Sequence, residues 1–181
     1  MTHVPLSIRC AKRDDIPAIA ECANSSSSEE EEAGFGMPFS ERTFNDVGRL
    51  SALWQDPNVV GSDVVGEEVI VAEQDGRIVG YVTVEERGEE LELVNIDVRR
   101  AYQGREIGSR LVQFLEQRAI REGKGALTLG TTRNAEGVPW KSLGWWQKLG
   151  YIVTGEEQNA YTNAIGEGVT EIRMRKLLGG T

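Results

Sequence analysis

Val98-Arg99-Arg100-Ala101-Tyr102-Gln103-Gly104-Arg105-Glu106-Ile107-Gly108-Ser109-Arg110-Leu111 is the stretch whose reading decides the fold. An apolar, strand-like segment, Leu91 to Val98, leads into it. An amphipathic helix leaves it, with Ile107, Leu111, Val112, Leu115 and Ala119 on one face. A glycine-bearing turn that opens a helix leaves backbone N–H groups unpaired, with the positive end of the helix dipole behind them. Such a turn suits an anion, a phosphate above all, and its glycines let a ligand approach the backbone closely. Gly-rich strand–turn–helix units also serve dinucleotides, and many hold nothing. Here the dinucleotide pattern G-x-G-x-x-G is absent, as is the Gly-Lys-Ser/Thr of a P-loop.

Outward from the turn, the chain alternates short strands and helices. Ser7 to Ala11 reads as a strand, followed by an N-cap at Asp14-Asp15 and a helix with Ile16, Ile19, Ala20 and Ala23 inward. Residues 24–36 hold four serines and then Glu29 to Glu32; such a run buries no apolar area and reads as a mobile acidic loop. Ser40 to Trp54 reads as a helix with Phe44, Val47, Leu50 and Leu53 on one face, ended by Asp56-Pro57-Asn58. Val69 to Ala72 and Ile78 to Glu86 read as strands joined by Gln74-Asp75-Gly76-Arg77, a strong hairpin signal. Arg87 to Glu90 reads as a second turn. Beyond the central helix, Ala126 to Gly130 reads as a strand, Pro139 opens a helix running through Lys148, and Gly150 ends it. Tyr151 to Thr154 and Val169 to Leu178 close the chain as strands, with Ile172 and Met174 facing opposite to Arg173 and Arg175. This order predicts a mixed α/β sheet flanked by helices.

At 181 residues the chain suits one domain with a real core. Its formal charge of −9 argues against a nucleic-acid surface and favours a cationic substrate, though acidity also serves solubility. The two cysteines, Cys10 and Cys22, lack metal-ligand spacing and read as free thiols of a cytoplasmic protein. No signal-peptide-like or membrane-spanning apolar run occurs. The single histidine, His3, leaves Ser-His-Asp and Cys-His systems without a base, and a His-rich metal site without ligands; no metal is expected.

The run Gln103 to Gly108 resembles the acyl-CoA signature Q/R-x-x-G-x-G/A of the GNAT (Gcn5-related) N-acetyltransferases. Val98 and Tyr102 sit where that family has a valine and an aromatic residue. Trp145-Trp146-Gln147-Lys148-Leu149-Gly150-Tyr151-Ile152 resembles its later Y-x-k-l-G-F segment, at the right spacing. The resemblance covers residues 7 to 178 and implies the family's mixed, mostly antiparallel sheet. Two positions depart: Glu106 stands at the signature's first glycine, and Trp146 stands where many members have a tyrosine acting as general acid.

The resemblance implies acetyl-CoA as co-substrate. Its pantetheine arm would pair with the backbone of Ile96, Asp97 and Val98. Its pyrophosphate would rest on the amides of Gln103, Gly104, Arg105, Ile107, Gly108 and Ser109, with Glu106 in the same turn pointing outward and Arg99, Arg100 and Arg105 nearby. It implies an acceptor site built from the region between the first two helices. It also implies an oxyanion donor near the Val98 amide. An alkylammonium has a pKa near about 10, so its attack needs a base. Glu92 lies eleven residues before Gln103, where histone-type members place their base glutamate; Asp97, Glu85 and Glu86 are alternates, and a solvent-facing strand residue is the plainer reading of Glu92. Trp146 either packs in the core or leaves the thiolate to water, Tyr151 or Tyr161. Trp140, Trp145 and Trp146 either pack in the core or wall a cation-binding pocket. The expected activity is direct acetyl transfer to a primary amine, on a small molecule, peptide or protein. The alternatives are an acyl-CoA-binding regulatory domain and a plain nucleotide-binding domain. Dimers are common in the family, which leaves a homodimer open.

Overall fold

Alternation of apolar residues with turn-forming pairs builds the central sheet of the computed structural model, which describes residues 5–53, 63–64 and 67–179. Strands β3 (Glu67–Gln74) and β4 (Arg77–Arg87) are joined at Asp75 and Gly76, whose φ values of 53° and 72° make the mirror-image turn that suits strand twist. Strand β5 (Glu90–Val98) returns antiparallel to β4. Strands β1 (Ser7–Cys10) and β2 (Asp63–Val64) both pair with β3. Helix α4 (Ile107–Arg121) then carries the chain to β6 (Ala126–Arg133), which runs parallel to β5. Strands β8 (Thr170–Leu177) and β7 (Ile152–Glu157) complete the order β1-β3-β4-β5-β6-β8-β7, with every neighbouring pair but β5–β6 antiparallel. This is the mixed, mostly antiparallel architecture expected.

The sheet buries both faces because its strands alternate two apolar sets. Ile70, Ala72, Val82, Leu91, Leu93, Leu127, Leu129, Ile172 and Met174 meet the inner stripe of α4, where Ile107, Leu111, Val112, Leu115 and Ala119 are all buried as predicted. Val69, Val71 and Tyr81 meet α1 (Ile16–Ser25) through Ile16, Ile19, Ala20, Cys22 and Ala23, with Phe44 and Leu50 beside them. Each fully buried Leu or Ile contributes about 1.5–3 kcal/mol. Gly80 lets α4 seat on the sheet: a Cβ there would lie 3.2 Å from the Asp97 carbonyl and 3.3 Å from Ile107 and Leu111 side chains.

Four local expectations are corrected. Residues 24–36 are not an irregular loop throughout: Ser28 and Glu31 form a capping box that starts α2 (Glu29–Glu32), and its carboxylates find cations in Arg42, Arg100 and Lys141. The helix predicted from Ser40 begins later, as α3 (Val47–Leu53), because Asp46 caps it by accepting from the Arg49 amide at 2.9 Å. Two 3-10 turns, Phe39–Glu41 and Thr43–Asn45, precede it; Trp54 and Asp56-Pro57-Asn58, like His3, lie outside the described residues. Pro139 opens no helix, since it bridges Arg133 while the Trp140 amide donates to Thr132 at 2.8 Å, so α5 spans only Leu143–Lys148. Asp15 does not cap α1; its carboxylate accepts from Arg9 and the Lys12 amide. A further short helix, α6 (Ala160–Ile165), is capped by Asn159 and Thr162.

Candidate active site

The sheet opens between its two parallel strands. β5 and β6 pair only from Glu90↔Ala126 to Leu93↔Leu129. At Val94 a bulge adds one residue to β5, after which β5 continues with β4 while Gly130 to Arg133 of β6 continue with β8. The edge of β5 that faces β6 is therefore without a strand partner over Val94–Val98. The gap widens into a cleft of about 940 Å³. The Val138–Trp140 segment folds back on β6 at its mouth, and Trp140 packs on Phe35 with ring centroids 5.2 Å apart.

At one end the cleft meets the turn before α4. Gly104 takes φ 75° and Glu106 φ 62°, so two left-handed residues curl the chain into the helix. Glu106 thus sits in a conformation that favours glycine, as its place in the signature implies. Among the described residues, the amides of Gly104, Arg105, Glu106, Ile107, Gly108 and Ser109 have no acceptor; the first helical bond is Arg110 to the Glu106 carbonyl. A Cβ on Gly108 would press Trp145 at 3.3 Å, whereas Gly104 opens onto free space. Trp145 thereby forms a wall beside the turn.

On the other side, cleft residues come from the segment that follows α1, the α2 region and β4. Asp97 is partly exposed to the cleft. The Tyr81 hydroxyl donates to its Oδ2 at 2.6 Å and the Ser26 hydroxyl donates to its Oδ1 at 2.8 Å. Burial pushes the Asp97 carboxyl above its ordinary range, against the opposing effect of those two donors and of Arg42. Arg42 pairs with Glu32 and donates to the Met37 carbonyl at 2.6 Å. The lining carries four carboxylates (Glu32, Glu41, Asp97 and Glu106) against two cations, Arg42 and Lys141.

The cleft brings together Ile96, Asp97, Val98, Gly104, Glu106, Ile107, Gly108 and Ser109; Arg105 lies in the same turn, stacked over Tyr102 at 5.1 Å. Four expected residues behave differently. The Gln103 amide is taken by the Arg100 carbonyl at 3.2 Å, and its side chain bridges the carbonyls of Ser26 and Val98, so Gln103 braces the turn and its amide is not free. Arg99 turns toward α1, donating to the Ile78 carbonyl and pairing with Glu21 at 2.7 Å, while Arg100 pairs with Glu31. Glu92 does not line the cleft. Its buried carboxylate accepts from Thr128 and from Arg173 at 2.8 Å. Burial raises its carboxyl, but Arg173, Thr128 and the charge of Arg87 outweigh it and hold it below the usual range, the reverse of what a base needs. Trp146 is buried against Tyr151, and the Tyr151 hydroxyl is spent on Glu116 at 3.0 Å. Sequence reading missed Ser26, Tyr81 and Arg42; only Tyr81 carried a signal, as the cross-strand partner of Asp97.

Residues 65–153, from β3 to the start of β7, match the family model of the acetyltransferase (GNAT) domain. The chain carries a GNAT acetyltransferase domain. Among solved structures, this GNAT chain is similar to the PaiA N-acetyltransferase of Thermoplasma acidophilum in complex with coenzyme A (17% identity, TM-score 0.68, covering 96% of this chain and 99% of that one). It is also similar to the ribosomal-protein-S18-alanine N-acetyltransferase of Escherichia coli (17%, 0.65, 98% and 96%) and to a ribosomal-protein-alanine N-acetyltransferase of Brucella melitensis (21%, 0.68, 95% and 99%). At these identities the likeness is one of fold. No curated protein matches the sequence closely enough to carry over an activity. No helix among the described residues of this GNAT domain is long and apolar enough to cross a membrane. GNAT enzymes draw their acetyl group from acetyl-CoA, and unpartnered amides at a helix start beside an unpaired strand edge suit a pyrophosphate-bearing cofactor.

Proposed function

We propose that this GNAT enzyme acetylates a cationic primary amine. When bound, acetyl-CoA supplies an activated acetyl group. The amides of Gly104, Arg105, Ile107, Gly108 and Ser109 would hold its pyrophosphate, with Glu106 in the same turn. The free edge at Ile96, Asp97 and Val98 would hold its pantetheine arm, and the Val98 region would offer the oxyanion donor. Gln103 would contribute by bracing the turn. The single observation that carries the reading is the conjunction of six unpartnered amides at the start of α4 with the unpaired β5 edge, both opening onto one cleft.

The carboxylate excess of the lining supports a cationic acceptor, and Trp140 and Phe35 offer it aromatic faces at the mouth. The acceptor is a small amine or a peptide N-terminus; the ribosomal-protein acetyltransferases among the similar structures support the second. Release of CoA thiol from acetyl-CoA, screened over diamines, amino sugars and peptides with free N-termini, tests the proposal. Thiol release with at least one class is expected.

A second reading, an acyl-CoA-binding regulatory domain, is favoured by Trp146, which places a buried indole where many members carry a phenolic proton donor. Tight CoA binding with no thiol release over the whole panel would select it.

A further inference from the structure

We propose that Asp97 takes the proton from the incoming ammonium, with the Ser26 hydroxyl as a rotor that serves the Asp97 carboxyl in either protonation state. The proposal rests on the amine-acetyltransferase reading above and names the proton acceptor that Glu92 does not supply.

The geometry provides for both states of the carboxyl. Ser26 Oγ lies 2.8 Å from Asp97 Oδ1 and 3.2 Å from the Ala23 carbonyl. A hydroxyl has one hydrogen to give. When Asp97 is ionised, that hydrogen points to Oδ1. When Asp97 is neutral, the carboxyl donates through Oδ1 to Ser26 Oγ, and the Ser26 hydrogen turns to the Ala23 carbonyl. In both states the carboxyl and the Ser26 hydroxyl stay paired, and the Ser26 hydrogen passes between Asp97 Oδ1 and the Ala23 carbonyl. Tyr81 is the fixed element. It is buried and stacked on Phe44 at 5.7 Å, and its hydroxyl donates to Oδ2 in both states.

Among the described residues, the titratable and charged groups facing Asp97 fit this role. From β4 comes Tyr81, whose burial keeps it a neutral phenol. From α1 comes Cys22, pushed up to about 12 by burial and thus a thiol, donating weakly to the Asp97 carbonyl at 3.8 Å. From the segment before α3 comes Arg42, which faces Glu32 more closely. None competes for the proton near neutrality. In the transfer, one N–H bond of the ammonium breaks and one O–H bond forms at Oδ1. The nitrogen lone pair is left free to attack, and the proton returns to water after product departs.

The test is the pH dependence of kcat/KM for wild type, Asp97→Asn and Ser26→Ala with an amine that supports turnover. Asp97→Asn should lower the neutral-pH rate by about 100-fold or more, with acetyl-CoA affinity within about 3-fold. Its residual rate should climb with the free-amine fraction as pH rises. Ser26→Ala removes a donor to the ionised carboxylate, so the acidic limb should move to higher pH, and Ser26→Thr should restore it. Asp97→Asn within about 3-fold of wild type, with a parallel profile, would overturn the assignment. If Asp97→Asn melts early, the Ser26→Ala limb decides: a shift upward supports the proposal and an unmoved limb overturns it. Absence of thiol release by wild type over the whole amine panel would instead remove the function on which it rests.

Discussion

Arg173 Nη2 donates to Glu92 Oε2 at 2.8 Å, and this pair engages the carboxylate that the family resemblance marks as a base. Arg173 also reaches Glu171 at 3.2 Å, and Asn159 donates to Glu171 at 2.6 Å, so one polar chain ties β5, β8 and the start of α6 together. Glu92 is bonded into that chain through Thr128 and Arg173.

Glu92→Gln should therefore lower stability by about 1–3 kcal/mol near neutrality, the range for a buried charge-assisted hydrogen bond. Its folded carboxyl titrates below the unfolded value, so its contribution is complete above about 4.3 and is lost as pH falls through the folded value. Denaturant melts at pH 7 and pH 3 check this: the difference between variant and wild type should be present at the first and shrink at the second. Turnover should change little.

Glu106→Gly should stabilise the protein by a few tenths to about 1 kcal/mol, since relief of the left-handed penalty exceeds the added entropy of glycine in the unfolded chain. It also removes a negative charge from the turn proposed to hold the pyrophosphate. Glu106→Ala removes the charge and keeps the strain. Thermal melts should separate the two variants, while both should bind acetyl-CoA more tightly than wild type.

Trp146 fills the core beneath the cleft, against Trp145 at 4.4 Å and Tyr151 at 5.3 Å. Trp146→Ala should cost about 3–5 kcal/mol. Trp146→Phe keeps most of the volume and deletes the indole N–H; its kcat should stay within about 10-fold, because an indole does not serve as a proton donor at neutral pH. A larger fall in kcat with an unchanged melting temperature would assign Trp146 to the chemistry.

Local signals carried the fold. The Asp75-Gly76 turn and the stripe of α4 were legible because both depend on residues adjacent in sequence or one helical turn apart. The glycine-bearing turn before α4 was legible for the same reason; the left-handed φ at Glu106, which stands at the signature's glycine, is a finding of the structure. Long-range partners decided the rest. Nothing near Glu92 announces Arg173, 81 residues away, and nothing near Glu29 to Glu32 announces Arg42, Arg100 or Lys141. Gln103 was read with its neighbours as a phosphate amide from the family resemblance; the 3-10 turn that consumes its N–H depends on the path the chain takes out of β5.

Calorimetric titration of acetyl-CoA into wild type and Gly108→Glu, with NAD and ATP as controls, tests the central claim most directly. Gly108 abuts Trp145, so a glutamate there brings both bulk and negative charge to the free amides. The account predicts micromolar, CoA-selective binding by wild type and none by Gly108→Glu that still melts as a folded protein. Equal affinity in the two proteins, or preference for NAD or ATP, would contradict it.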